Sequence, residues 1–315
     1  MSKMALSNVR STLDPDAPDR IFLVGTEGVG KSTFAADAPN PIFLAAEEGL
    51  ERIHAEAFPV PDSYQDCVDA IDELMTQDHK FETLVIDTAD WMDDLIRDLV
   101  VKENHWTAFT QEYAEGEKKA AEHWRQFTRK LDRLREKTRM EIIVLAHAHV
   151  ADFTPPNLSK KHMRFEAKLE KRVRPVLQEW ADVHLFAHWE EWEEGKTKSS
   201  KRAHTSGKRL LHSVRTMAWD AKNRWDMPET IPLSYEDFEA HRSVAREALR
   251  SGKDVLTEKA LELYDELKPE GELAEKMKGH IEKCRGNRTK MRACIIRLEK
   301  LLDEKIEPKE EPVTA

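Results

Sequence analysis

Only three cysteines, Cys67, Cys284 and Cys294, occur in 315 residues. They are too few and too scattered for a disulfide framework or a thiolate zinc site, so they read as small apolar residues in reduced form. No apolar run approaches the length that crosses a bilayer, which argues against a membrane-spanning protein. Residues 1–18 lack the continuous apolar core of a secretory signal, so a cytoplasmic protein is expected. Positive charge is also short, with a net charge of −10. That speaks against indiscriminate coating of nucleic acid, though not against a local basic site. No internal repeat is evident. No Arg-rich lid segment stands out between the later apolar runs, which makes a small-molecule kinase the weaker reading.

What is present is a phosphate-binding loop. The apolar run Ile21-Phe22-Leu23-Val24 leads directly into Gly25-Thr26-Glu27-Gly28-Val29-Gly30-Lys31-Ser32-Thr33 and then into a helix-compatible segment. This is G-x-x-x-x-G-K-S in a strand–loop–helix setting, the context that gives the motif its meaning. Glycines let the backbone curl so that its N–H groups converge on phosphate oxygens. Lys31 is expected to reach the terminal phosphates and the Ser32 hydroxyl to ligate Mg²⁺. ATP and Mg²⁺ are the cofactors this implies.

Further apolar runs, at 41–46, 81–88, 140–146 and 182–187, alternate with helical patterns at 66–74, 91–101, 118–138 and near 166–180. Strands alternating with helices predict an α/β fold, a mostly parallel sheet with helices on both faces. Ligands of such sheets bind at the carboxyl ends of the strands. Gly25, Glu47, Asp87 and His147 each follow one of the strands, so they converge on one edge. Trp189–Glu194 and Arg209–Trp219 read as two arms of a hairpin around a cationic tip, 195–208. Beyond Ser234 the chain is charged and helical. Met277, Cys284, Met291 and Leu298 recur every seventh residue, which predicts a helical hairpin turning at Gly286-Asn287. The expected organisation is a lead-in over 1–18, an ATPase core over 19–233, a helical extension over 234–305 and an acidic tail over 306–315.

Asp87 ends an apolar strand, where it could hold Mg²⁺ with Ser32 or merely cap the next helix. Glu47 and Glu48 close the strand after the loop helix, and either could orient the attacking water. His147 stands where a polar group could sense the terminal phosphate. Two segments are basic: Lys160, Lys161 and Arg164 in one, and Lys196, Lys198, Lys201, Arg202 and Lys208 in the other. Phe153 and Phe165 flank the first and could stack on bases. Engaging about five phosphates of a single strand would give a log–log salt slope of about −3.5.

This order of features, together with Asp220-Ala221-Lys222-Asn223-Arg224, resembles the RecA-like recombinase core over residues 19–233. In compactness it looks most like the phage-encoded single-strand-annealing ATPases of the Sak type. The resemblance implies that Glu47 is the catalytic glutamate, Asp87 the Mg²⁺-associated acid, and His147 the group coupling nucleotide state to DNA. It implies a DNA-contacting loop over 149–165, and Lys222 and Arg224 as cations reaching the nucleotide of an adjacent subunit. Single-stranded DNA, further copies of the chain in a ring or filament, and a single-strand-binding protein are the partners it suggests. The location would be a host bacterial cytoplasm if the chain is phage-encoded. The activity implied is ATP hydrolysis stimulated by single-stranded DNA, promoting annealing or strand exchange. A motor or loader in replication or packaging, and a nucleotide-gated assembly module with little turnover, are the alternatives.

Overall fold

A strand apolar on both faces must be covered on both faces, and β1 (Arg20–Gly25) is such a strand, with Ile21, Phe22, Leu23 and Val24 all buried. The computed structural model describes residues 14–45, 50–154, 160–194, 202–251, 255–269, 271–285 and 288–306. Around β1 it builds a sheet from β2 (Pro41–Ala45), β3 (Glu56–Ala57), β4 (Thr83–Asp87), β5 (Glu141–Phe153), β6 (His162–Ala167), β7 (Val183–Glu194), β8 (Arg202–His212) and β9 (Thr230–Pro232). The order is β3-β2-β4-β5-β1-β7-β8-β9, with β6 paired to β5 outside this path. From β3 through β7 every neighbouring pair is parallel, whereas β8 and β9 continue the sheet antiparallel.

Helices α1 (Lys31–Ala36), α2 (Tyr64–Thr76), α3 (Ala89–Glu103), α4 (Tyr113–Thr138) and α5 (Arg174–Trp180) are the connections. The chain runs outward from β1 to β2 through α1 and returns stepwise through α2 to α5. Right-handed crossovers therefore place α1 on one face and the others on the opposite face. Packing agrees. Phe22, Leu44, Ile86 and Val144 share a core with Ile71 of α2, Ile96 of α3, Trp124 and Phe127 of α4, and Leu177 of α5. Phe34 of α1 instead meets Tyr235 and Phe238 at the start of α6 (Tyr235–Ser251), with ring centroids 5.5 and 5.9 Å away. The buried acids Asp93 of α3 and Glu117 of α4 have cationic or donor neighbours: Trp124 Nε1 donates to Asp93 (2.8 Å), and Arg97 meets Asp93 (2.7 Å) and lies in ion-pair range of Glu117 (3.0 Å).

The α/β class and the mostly parallel sheet flanked by helices are as the sequence predicts. Three local expectations are corrected. The helix expected near 166–180 is only α5, and Pro175 in its first turn marks the true start. The segment before it is β6, which folds back on an extension of β5 in register Ala148↔Ala167 to Phe153↔His162. The second hairpin arm begins at Arg202 rather than Arg209, so 202–208 belongs to a strand and not to the tip.

The chain divides into two compact units, 1–242 and 243–315. In the second, α7 (Val255–Leu267), α8 (Gly271–Cys284) and α9 (Arg288–Ile306) enclose Ala260, Ile281, Cys284, Met291 and Leu298. The seven-residue stripe is thus a buried seam, shared by three helices rather than two. The expected turn at Gly286-Asn287 lies outside the described residues. The three cysteines are free and buried. No described helix is long and apolar enough to cross a membrane.

Candidate nucleotide site

Three carboxyl ends of the sheet lie side by side. Gly25 at the end of β1 is in register with His147 of β5, and Asp87 ends β4 on the far side of β5. Between β1 and α1 the chain curls through Gly28 (φ 68°) and Gly30 (φ 104°), left-handed conformations that glycine adopts without a Cβ penalty. Gly25 is required for a different reason: a Cβ there would lie 2.8 Å from the carbonyl oxygen of Ala187 on β7. Thr26 N–H donates to that same oxygen (3.2 Å), which ties the loop to the neighbouring strand.

Lys31 is 5% exposed, and its ammonium donates to the carbonyls of Gly25 (3.2 Å) and Thr26 (3.1 Å). Burial pushes this ammonium below the usual lysine range, against the pull of the Asp87, Asp90 and Glu27 carboxylates. The Ser32 hydroxyl donates to Asp87 Oδ2 at 2.6 Å. Burial raises the Asp87 carboxyl, while the Ser32 hydrogen bond and the Lys31 charge oppose the rise. Thr26 Oγ1 is buried without a hydrogen-bond partner. These groups fit Mg²⁺-ATP. A hydroxyl and a carboxylate in contact are hard oxygen donors suited to Mg²⁺. A buried ammonium and an orphan hydroxyl within the loop suit phosphate oxygens. Glu27, Gly28 and Thr33 are exposed along the loop, and Val29 is buried.

His147 is held from one side. Asp90, in the first turn of α3, accepts from the His147 backbone N–H (3.1 Å) and contacts its Nδ1 (2.9 Å). Burial alone would raise the Asp90 carboxyl, but the side-chain and backbone hydrogen bonds from His147 outweigh it and hold it at about 2. A carboxyl depressed on folding contributes stability above its ordinary value, lost as pH falls through the folded one. From 3.8 to about 2 this amounts to about 2 kcal/mol. Asp90→Asn should therefore lower stability by up to about 2 kcal/mol at neutral pH, with the gap to wild type closing below pH 4. Urea midpoints for both proteins across pH 3 to 7 test this, and a gap independent of pH would contradict it.

The basic segments separate into exposed and internal residues. Lys160 and Lys208 are exposed. Lys161 is exposed and pairs with Asp152 (2.7 Å), a surface contact of small energetic value. Arg164 is corrected: it is 4% exposed, pairs with Asp220 and lies over the Phe153 ring at 4.6 Å. Because 162–167 is a strand, alternate side chains turn inward, and Arg164 becomes a strut. Phe165 likewise packs on Phe186 at 5.2 Å and is not a free stacking surface. Trp192, on the β7 arm of the hairpin, is 47% exposed and stacks on His204 at 5.8 Å. Lys196, Lys198 and Lys201 lie outside the described residues, as does the side chain of Arg202. Lys168, Lys171 and Arg172, which the sequence reading did not single out, are exposed at the β6–α5 turn. Burial first, and then the charges of Arg174 and Lys168, lower the pKa of nearby His149.

Lys222 and Arg224 are placed at the opposite end of the sheet from the loop. Lys222 exchanges backbone hydrogen bonds with His184, and its ammonium donates to the carbonyls of Gln178 (3.2 Å) and Ala181 at the end of α5. That is a cation on a helix C-terminus, and burial lowers its pKa. Arg224 is exposed and contacts Asp182 (3.0 Å), which Arg20 also holds (2.9 Å) at the start of β1. Neither cation reaches the loop of its own chain. Glu47 and Glu48 lie outside the described residues.

Two residues near the loop escaped the sequence reading. Asp90 had a faint signal, an acid three residues beyond the strand-ending Asp87 and hence in the first turn of the next helix. Arg209 had none. Its guanidinium, on β8, approaches the loop at Val29 O (3.4 Å).

Compared with known proteins, residues 17–225 match the AAA domain family. No curated protein matches the chain in sequence. Among solved structures, that of the RadB recombinase aligns with a TM-score of 0.36 and 14% identity, over 70% of this chain and 90% of that one.

Proposed function

The chain belongs to the AAA domain family, and on that premise we propose that it is an Mg²⁺-dependent ATPase that acts on single-stranded DNA in recombination. The observation carrying the ATPase reading is the contact of Ser32 with Asp87 beside the buried Lys31. Ser32 and Asp87 sit 55 residues apart in sequence, one in the first turn of α1 and the other at the end of β4, and Mg²⁺-ATP is the ligand the chemistry of the three groups fits. When bound, Mg²⁺ supplies charge neutralisation at the phosphates. Lys31 binds and orients the terminal phosphates, Asp87 positions the Ser32 hydroxyl, and Asp90 holds His147 at the loop's edge. Glu47 is proposed to orient the attacking water. Arg224 is the exposed cation that an adjacent copy could use, in a ring or filament with nucleotide at the interface.

The DNA reading is supported by two hairpins. β5 and β7 run on past the residues level with Gly25, and their returning strands carry the hairpins beyond the edge where the loop lies. Lys160, Lys168, Lys171, Arg172 and Lys208 are exposed on these strands and their flanks. Engaging three to five phosphates would give salt slopes of about −2 to −3.5. Single-strand annealing or strand exchange of the phage type is the activity this reading favours.

The test is ATP hydrolysis with and without single-stranded DNA over a salt series. We expect stimulation by DNA that weakens with salt, and loss of the Mg²⁺ requirement's sharpness in Asp87→Asn. Tight ATP binding with negligible turnover, unaffected by DNA, would favour the nucleotide-gated assembly reading instead. The separate helical unit, 243–315, with its own apolar core, is the observation on that side.

A further inference from the structure

The β7–β8 hairpin is irregular at one place. Trp189 pairs with Arg209 and Glu191 with Thr205, so Ser206, Gly207 and Lys208 together oppose the single residue Glu190. Gly207 takes φ 74° within this bulge, and Ser206 Oγ donates to Glu190 Oε2 at 2.6 Å, closing it across the strands. Bulges re-aim the side chains that follow them. The residue that follows is Arg209.

Arg209 is directed back at the phosphate loop. Its Nη1 donates to Val29 O at 3.4 Å, and a Cβ on Gly30 would lie 2.5 Å from that same nitrogen. The guanidinium thus fills the space left by the missing side chain of Gly30, with Leu233 behind it at 3.9 Å from the same point. Its own backbone is anchored, since Leu233 N–H donates to Arg209 O (3.0 Å). In a loop whose N–H groups turn inward to phosphate, carbonyls turn outward. Val29 O is such a carbonyl, so an arginine on it braces the loop from outside.

We propose that Arg209 is a positioning residue of the nucleotide site, holding the backbone of Val29 and Gly30 in its phosphate-binding form from the base of the β7–β8 hairpin. The proposal rests on the nucleotide reading of residues 25–33 given above. A hydrogen-bonded brace costs nothing when ATP arrives, because the loop is already ordered. It also means that a partner on the hairpin and a nucleotide in the loop act on one shared contact, and such coupling is reciprocal.

Two variants separate this role from a direct charge on the nucleotide. Arg209→Met keeps the apolar stem and removes every donor, whereas Arg209→Gln keeps a donor and removes the charge. Binding of Mg²⁺-ATP to the full chain is measured beside amide hydrogen exchange of residues 26–31 in the nucleotide-free protein. Arg209→Met is expected to weaken ATP binding on the order of tenfold and to speed exchange in the loop, with Arg209→Gln recovering most of both. Unchanged loop exchange in Arg209→Met overturns the brace. Equal loss of affinity in both variants with unchanged exchange also overturns it, by making Arg209 a direct phosphate contact. Lys31→Ala is the control for the premise: if it leaves ATP binding intact, the nucleotide reading fails. If it abolishes binding while the Arg209 variants match wild type in affinity and exchange, only the brace fails.

Discussion

Replacing Lys31 by alanine is expected to lower ATP hydrolysis by about a hundred- to a thousandfold, the usual cost of removing one preorganised charge donor from a reacting phosphate or oxyanion. The expectation comes from where the ammonium sits. Lys31 is 5% exposed and turned onto the carbonyls of Gly25 and Thr26, and it is the one cation in the sequence Gly25–Ser32. In so dry a position a charge interacts with phosphate far more strongly than it would at the surface. The same burial disfavours the ammonium in the free protein, which lowers its pKa. Lys31→Ala should therefore keep its thermal midpoint or gain slightly, separating the lost activity from lost folding. Lys31→Arg should not restore the rate, because a planar guanidinium is larger and forked where the loop closes on a point charge. Hydrolysis within a factor of ten of wild type in Lys31→Ala would contradict the assignment.

Arg242→Ala is expected to be the most destabilising single change in the first unit, at about 3–5 kcal/mol. Arg242 is 3% exposed, on α6, and ties that helix to the starts of β1 and β5 at the end of the sheet away from the phosphate loop. Its guanidinium meets Asp19 Oδ2 (3.0 Å) just before β1, Glu141 at the start of β5, the Tyr235 hydroxyl (2.9 Å) and Glu239 Oε2 (2.6 Å, from Nε). Tyr235 in turn donates to Glu141 Oε1 (2.7 Å), and Trp225 Nε1 to Asp19 Oδ2 (2.9 Å). Alanine leaves the carboxylates of Asp19 and Glu141 buried without their cation, and that penalty exceeds the net worth of the pair itself. The double change Arg242→Met with Glu141→Gln should recover a large part of the loss, because it removes a buried charge along with its partner. Denaturant unfolding followed by tryptophan fluorescence reads both variants. A loss below 1 kcal/mol for Arg242→Ala would show that water reaches these carboxylates.

How far each part was legible depended on the range of the forces that set it. The strands β1, β2 and β4 were legible as apolar runs because a parallel strand buried on both faces has no freedom of composition. The loop Gly25–Ser32 was legible because backbone curvature demands glycine at fixed spacing, and Gly28 and Gly30 do take positive φ. β6 was not legible. Its residues have a weak pattern, and they form a strand only because β5 extends past the core and offers an edge to pair with. The burial of Arg164 was illegible with it, since a cation expected on a loop surface turns inward once the segment alternates as a strand. Lys222, which the resemblance assigned to an adjacent subunit's nucleotide, is held instead by carbonyls at the end of α5, a partnership no local pattern announces.

The amino-acid sequence by itself determined a nucleotide loop, an alternating α/β order and an acid at the end of the strand that became β4. Those depend on local requirements, burial within a strand and conformational freedom within a turn. Tertiary structure alone decided which polar groups meet. Asp87 reaches Ser32, and Asp90 reaches His147, because β5 is inserted between β1 and β4. Arg209 reaches the loop because a bulge some 180 residues away turns it there. Contacts of that kind follow from sheet order and register, and no local periodicity in the chain encodes either.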